Sequence, residues 1–412
     1  MEALQSPKWL SKTKFLQLFI TTYFFLYIFP FPLEYLPFVN KVFKLYVQGI
    51  EALSIWFGKN LFGLEFIEKL NNGSGDTTFD FVKLFTISVL SLLITFVLFG
   101  LRKKVKTEKI IVFVRTYGRY FLALMLFSYG FSKFFGGQFS FPSLERLDQK
   151  IGDSSPMGLL WTFMGYSKIY TFFGGICQVL AGCLLLFRKT TVIGSLLAFA
   201  VMTNIVILNF SYDVPVKLFS THLAAIALLL LLPNALNLFN LFFINKPTEL
   251  IPEPSLIANK EKQMIVLILK IIFMTGLQLY LVVMIVKSFF YTSVQTNHLK
   301  GVYYPQEFPS GNQWKKFIIN ERYATVFYNE NKYEDFKYKI DTVQHSIQLQ
   351  SIKDTLSISR LKYQFSDKDT RMQLSGIFKK DTISEKFTIK REEDFELVKR
   401  SFNWINEYPY NK

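Results

Sequence analysis

The chain has 412 residues, of which 50% are hydrophobic and 17% aromatic, with 46 Phe, a composition too apolar for one soluble globule and typical of membrane proteins. Its formal charge is +16, but Lys and Arg flank apolar runs or lie in the C-terminal third, and no nucleic-acid motif accompanies them. A lipid bilayer surface, not DNA or RNA, is the expected partner of that charge.

In chain order, Lys8, Lys12 and Lys14 precede an apolar stretch from Phe15 to Leu33. Phe29-Pro30-Phe31-Pro32 stands where a secretory signal would carry small residues, so an uncleaved first helix is predicted. In residues 34–70, Val42, Phe43, Tyr46, Val47, Ile50 and Leu53 recur at helical spacing among Lys41, Lys44, Glu51 and Lys59. That mixture is too polar to span and predicts an interfacial amphipathic segment. The glycine-rich turn Asn71 to Asp76 ends it; with no Lys-Ser/Thr after it and no strand before it, it reads as a turn, not a phosphate loop.

Further runs of spanning length lie at about 79–100, 112–135, 169–187, 191–210, 216–233 and 265–290, each sufficient for a ~30 Å hydrocarbon core. With the first helix they make about seven transmembrane helices. Cys177 and Cys183 share one run about 9 Å apart in height, too far to pair on a helix, and read as packing residues. Lys and Arg concentrate at the N-terminus, at Arg102 to Lys109, at Arg188-Lys189 and at Lys246 to Lys262, about twice as many as in the alternate loops. The N-terminus is therefore expected in the cytoplasm of a bacterial plasma membrane and everything after the seventh span outside it.

From about Tyr303 the pattern becomes alternating: Leu356 and Ile358; Leu361, Tyr363 and Phe365; Met372 and Leu374; Phe387 and Ile389. This predicts an antiparallel β barrel or sandwich. The aromatic-rich end, Arg400 to Tyr410, reads as a closing strand, with a tail docking on the membrane helices as the alternative. The predicted organisation is N-terminal spans with the amphipathic segment (1–110), a four-helix unit (111–245), a linker and last span (246–295) and an extracytoplasmic β-rich domain (296–412).

Polar groups in or beside spans carry the functional information, because a charge in hydrocarbon is costly. Tyr129 and Lys133 end the third span, Asp148, Asp153 and Trp161 follow in the next loop, and Asn209, Tyr212, Asp213, Lys217 and His222 surround the fifth-to-sixth connection. They form a candidate polar cluster at the outer face. Asp213, just before Pro215, is suited to cap the sixth helix. Lys217 falls where the helix dipole disfavours a cation, so it needs a carboxylate partner or snorkels. His222 reads as an interhelical hydrogen bond or a proton carrier. On the opposite side Arg102, Lys103, Lys104, Arg115 and Arg119 read as anchors for anionic headgroups. No metal site is indicated, no second intramembrane His exists for a bis-imidazole haem, and HExxH, CxxC, GxSxG and P-loop patterns are absent.

With these residues in view, Arg115 to Phe243 resembles the DoxX-like membrane family, a four-helix unit. The resemblance rests on Arg119-Tyr120-Phe121-Leu122, Tyr129-Gly130-Phe131-Ser132-Lys133, Phe173-Gly174-Gly175 and the Arg188-Lys189 turn. Ser155 to Trp161 and Tyr212 to Lys217 resemble an uncharacterised bacterial subgroup with extra N-terminal spans and a C-terminal β domain. A fainter likeness is to the membrane domain of vitamin K-dependent carboxylase-like proteins. The DoxX-like resemblance implies a plasma-membrane bundle with links to quinone chemistry and no shared catalytic constellation. Three functions follow as expectations: an accessory protein with an outward-opening pocket for a quinone or lipid; an enzyme using Lys217, His222 and Asp213 for proton transfer; or an assembly protein binding an envelope partner through 296–412.

Overall fold

The computed structural model describes residues 14–33, 40–65, 67–70, 72–134, 137–257, 259–291, 297–306, 314–321, 323–329, 332–354, 356–366, 370–379, 381–400 and 403–409. Lys8, Lys12, Asn71 and Tyr410, named above, lie outside them. The chain divides into two compact units: Met1–Phe139 with Ser167–Val286, and Ser140–Tyr166 with Lys287–Lys412.

The helices in chain order are α1 (Lys14–Ile28), α2 (Asn40–Asn60), α3 (Thr78–Gly100), α4 (Thr107–Phe134), α5 (Leu144–Asp148), α6 (Pro156–Tyr166), α7 (Lys168–Leu186), α8 (Thr191–Ser211), α9 (Lys217–Leu231), α10 (Ala235–Phe242), α11 (Lys260–Tyr291) and α12 (Glu396–Lys399). Among the described residues, five segments are long and apolar enough to cross a membrane: Thr78–Gly100, Thr107–Phe134, Lys168–Leu186, Arg188–Ser211 and Lys217–Phe242. This is a membrane protein with a helical region and a β domain. Of the two other expected spans, the first is the shorter apolar helix α1, of 15 residues, and the last lies within the 32-residue α11. The predicted amphipathic segment contains α2, which packs on α3.

The core of the helical unit is where α4, α7, α8 and α9 meet: Leu122, Ala123, Leu126, Ala181, Leu185, Ala198, Met202, Leu223 and Ala227 are all buried there. Small residues set the approach of α4 to α7. A Cβ on Gly175 would lie 2.9 Å from the Gly130 carbonyl oxygen and 2.6 Å from the Phe134 ring. Close backbone contact of this kind holds helices together where lipid removes the hydrophobic drive. It also gives Gly130 and Gly175 of the glycine motifs a packing role. Helix α1 joins α3 along a hydroxyl seam, with Thr22 Oγ1 2.9 Å from Thr95 Oγ1 and 3.2 Å from the Ser91 carbonyl.

The second unit is a closed, all-antiparallel barrel of eight strands in sequence order: β1 (Gly301–Pro305), β2 (Lys316–Ile319), β3 (Ala324–Phe327), β4 (Tyr333–Asp341), β5 (Ser346–Ser351), β6 (Ile358–Ser366), β7 (Arg371–Phe378) and β8 (Asp381–Lys390). Pairing of β1 with β8, from Val302↔Lys390 to Pro305↔Phe387, closes it and removes the open edge. Tyr303, Trp314, Phe317, Phe336, Leu349, Leu374 and Phe387 fill the interior, each at most 3% exposed, so this is a packed core and not a ligand calyx.

Two expectations change here. Residues 140–166, read as a simple loop between spans, belong to the β unit: Leu144 of α5 is buried with Val302, Ile318 and Phe395. Asp148 accepts hydrogen bonds from the Tyr304 hydroxyl and from Lys316 Nζ, the latter at 2.7 Å, and Glu145 accepts one from Asn320. The barrel is closed by β8 and not by the aromatic end. Among the described residues there, Trp404, Ile405 and Tyr408 are 90%, 78% and 84% exposed and form no strand. That end offers no alternating pattern to pair, and the barrel is already complete without it.

Candidate functional site

The expected polar cluster is assembled differently from its sequence reading. Thr77 and Asp80 form a reciprocal capping box that starts α3, which leaves the preceding Asp76 to reach the N-terminus of α9. Asp76 accepts hydrogen bonds from the backbone N–H groups of Lys217 at 2.7 Å and Leu218 at 2.9 Å. The Gly75 N–H donates to the Pro215 carbonyl at 2.8 Å and pins the two loops together. Asp76 is therefore the anion at the positive end of α9, the role expected of Asp213. Asp213 sits at φ 50° with its side chain 83% exposed. Its carboxylate pairs with Lys217 Nζ at 2.7 Å, while Asp76 lies 3.9 Å from the same ammonium. Lys217 is thus held by carboxylates at a helix end that would otherwise repel it.

The remaining predicted residues take separate places. Asn209 is buried and donates to Ser220 Oγ at 3.0 Å, tying α8 to α9. Tyr212 ends α8, its N–H donating to the Leu208 carbonyl. Lys133 is 9% exposed and donates to Gln138 Oε1 at 2.8 Å and to the Tyr129 carbonyl at 3.3 Å. Tyr129 itself is partly exposed. Asp153 and Trp161 belong to the β unit: Asp153 is exposed, with its carbonyl accepting from Gln149, and Trp161 lies half-buried on α6.

His222 faces α1. Its Nδ1 lies 2.6 Å from the Leu218 carbonyl, its Nε2 lies 2.7 Å from the Tyr23 hydroxyl, and its ring stacks on Tyr27 with centroids 4.0 Å apart and planes 9° apart. A carbonyl only accepts, so Nδ1 carries the proton; in the neutral ring Nε2 then accepts from Tyr23. Lys217 and Asp213 thus pair with each other, whereas His222 hydrogen-bonds to Tyr23 and the Leu218 carbonyl and to neither of them.

The cavity of interest lies near the first turns of α4. It has a volume of about 390 Å³ and is walled by Leu18 and Phe24 of α1, Val114 and Gly118 of α4, and Ile226 and Leu230 of α9. Polar groups from Lys14, Thr107, Glu108 and Arg115 also line it. One boundary is a strap, Ile251-Pro252-Glu253-Pro254, held by side chains. Asn234 Nδ2 donates to the Ile251 carbonyl at 3.0 Å while its Oδ1 accepts from the Ile251 N–H at 2.7 Å. Arg115 forms an ion pair with Glu253 and also donates to the Leu230 carbonyl, one of the last carbonyls of α9.

The predicted headgroup anchors therefore divide. Arg102, Lys103 and Lys104 are exposed. Arg115 is engaged by the strap. Arg119 is 2% exposed, donates to Thr191 Oγ1 at 3.0 Å and lies over the Tyr120 ring, so its guanidinium is a packing element inside the bundle. Asp76, Glu253, Asn234, Tyr23 and Tyr27 escaped the sequence reading. A lone acid between two prolines in a basic loop was the available signal for Glu253, and an acid just before a capping Thr was the signal for Asp76.

No family profile matches the chain, and no solved structure matches it. The uncharacterized protein YwoB of Bacillus subtilis (strain 168) is 36% identical over 115 residues, which are 27% of this chain and 71% of that protein. The chain belongs to the same family as that uncharacterized protein.

Proposed function

We propose that this protein is a non-catalytic, multi-pass plasma-membrane protein whose helical unit holds an amphiphile with a long apolar tail, a lipid or a quinone. The observation that carries this is the cavity between α1, α4, α9 and the strap: apolar walls for a chain, charged and hydroxyl groups for a head, and a volume in the range of small-molecule sites. It lies beside the first turns of α4, whereas the polar cluster includes Lys133 in the last turn of that 28-residue helix. With the N-terminus cytoplasmic, the cavity belongs to the inner leaflet, and the pocket opening moves there from the expected outer face. The same reading takes α1 and α11 as spans, making seven, and puts the barrel outside. It also takes α4, α7, α8 and α9 as the DoxX-like four-helix core. These four form one packed cluster, which supports that correspondence.

The full chain purified in mild detergent is extracted and analysed by mass spectrometry for co-purifying lipids and quinones, beside Ile111→Trp, which fills the cavity from its half-exposed wall. Retention of one amphiphile class by the wild type and its loss from the variant is the expected result, and the identity of the extract separates lipid from quinone. An empty wild-type protein that no lipid or quinone stabilises against heat would overturn the proposal. No observation favours the enzymatic alternative.

A further inference from the structure

The barrel distributes its charge unevenly. Positions that face outward on β4 to β8 alternate with the packed interior, and register places six exposed cations among them: Lys337 and Lys339 on β4, Arg360 and Lys362 on β6, Arg371 on β7 and Lys386 on β8. Only two acids share these positions, and both are engaged. Asp335 accepts from Thr325 Oγ1 at 2.7 Å, and Asp341 accepts from the N–H groups of Val343 and Gln344 in its own turn. Several cations elsewhere in the unit are paired: Lys316 with Asp148, Lys379 with Glu334, and Lys300 with Glu321 and Glu392. Among the described residues, Lys337, Lys339, Arg360, Lys362 and Lys386 have no carboxylate within ion-pair distance.

Most side chains between these cations are hydrogen-bonding and uncharged, with exposed Ile377, opposite Arg360, and Ile358 as apolar members of the face. Lys339 pairs across Gln348 to Arg360, Ser346 pairs with Lys362, and Gln364 pairs across Gln373 to Lys386. A soluble surface ordinarily mixes both signs of charge. A predominantly cationic face, six cations against two carboxylates, interspersed with amides and hydroxyls is suited to take an anion along its length.

We propose that the outer face of β4 to β8 binds a flexible, linear, phosphate-bearing polymer. Curvature selects this occupant over a bilayer. In a closed eight-stranded barrel, β4 and β8 lie half the circumference apart, so Lys339 and Lys386 point in nearly opposite directions and no plane touches both. A flexible chain bends around the face, its phosphates meeting successive cations with release of counterions. From Lys337 onward no aromatic side chain occupies an outward position on these strands, so base stacking is not provided for.

The test uses the full chain in nanodiscs of zwitterionic lipid, with fluorescent long-chain inorganic polyphosphate as probe, read by anisotropy across a salt series. The wild type should bind, and the triple variant Lys339→Gln, Arg360→Gln, Lys362→Gln should bind at least about tenfold more weakly at 0.1 M salt. The slope of log affinity against log salt should fall by about 2, at roughly 0.7 per lost contact. The variant Arg102→Gln, Lys103→Gln, Lys104→Gln should bind like the wild type. All six positions are exposed, and unchanged thermal unfolding of both variants keeps the comparison one of binding. Failure of the wild type to bind polyphosphate overturns the proposal, as does equal binding by the two triple variants. Capture of phosphatidylglycerol vesicles through these cations, with polyphosphate ignored, assigns the face to a bilayer and equally overturns it.

Discussion

Truncating Leu144 to Ala tests whether the segment between α4 and α7 is part of the barrel unit. Leu144 is 1% exposed against Val302, Ile318 and Phe395. The substitution removes three methylene equivalents, about 2.4 kcal/mol at roughly 0.8 kcal/mol each. A residual cavity brings the cost to about 3 kcal/mol, within the usual span for buried leucines. Hydrogen exchange followed by mass spectrometry on the full chain in detergent reads this locally. Amides of β1 and β2 should exchange about a hundredfold faster, since each 1.4 kcal/mol is tenfold. Leu159→Ala, at a side chain 41% exposed, is the control and should leave those amides unchanged. Unaltered protection of β1 and β2 in Leu144→Ala would refute the placement of α5 on the barrel. By the same reasoning, residues 297–412 expressed without 140–166 should be less stable, because the Val302, Ile318 and Phe395 patch and Lys316 lose their partners.

Asp76→Ala should destabilise the start of α9 by about 1 kcal/mol, whereas Asp213→Ala, at an exposed carboxylate, should cost almost nothing; exchange of the α9 amides compares them, and the reverse order would return the cap to Asp213. Gly175→Leu should break the α4–α7 contact and shift the protein to aggregated fractions in size-exclusion chromatography. Gly174→Leu should not, since a Cβ there meets nothing within 4 Å. In the barrel, burial raises the Glu334 pKa, but hydrogen bonds from Lys379 at 2.6 Å, Ser351 at 2.8 Å and Tyr328 at 3.4 Å, with the Lys379 charge, lower it by more. A lowered folded-state pKa means its stabilisation is complete above the unfolded carboxylate value and is lost as pH falls through the folded one. Exchange protection of β4 and β5 should therefore decline below about pH 4.3 in the wild type and change less in Glu334→Gln; equal acid sensitivity of the two would refute this account.

Length and hydropathy alone were enough to place spanning runs at about 79–100, 112–135, 169–187, 191–210 and 216–233, within a few residues to about nine of the helical segments at 78–100, 107–134, 168–186, 188–211 and 217–242, because a spanning helix satisfies its backbone internally and its signal is local. Period-two alternation likewise exposed β6, β7 and β8, while the shorter β1, β2 and β3 carry too few residues for the pattern to stand out. Only the tertiary structure decided which acid caps α9. A local rule favours Asp213, four residues before Lys217, yet the backbone turns its side chain outward and Asp76 arrives from 141 residues away. The same holds for the union of 140–166 with the barrel and for the Arg115–Glu253 strap across 138 residues. Spacing reports which face of an element is apolar, but partners chosen across such distances depend on how the elements pack, and only the folded chain specifies that.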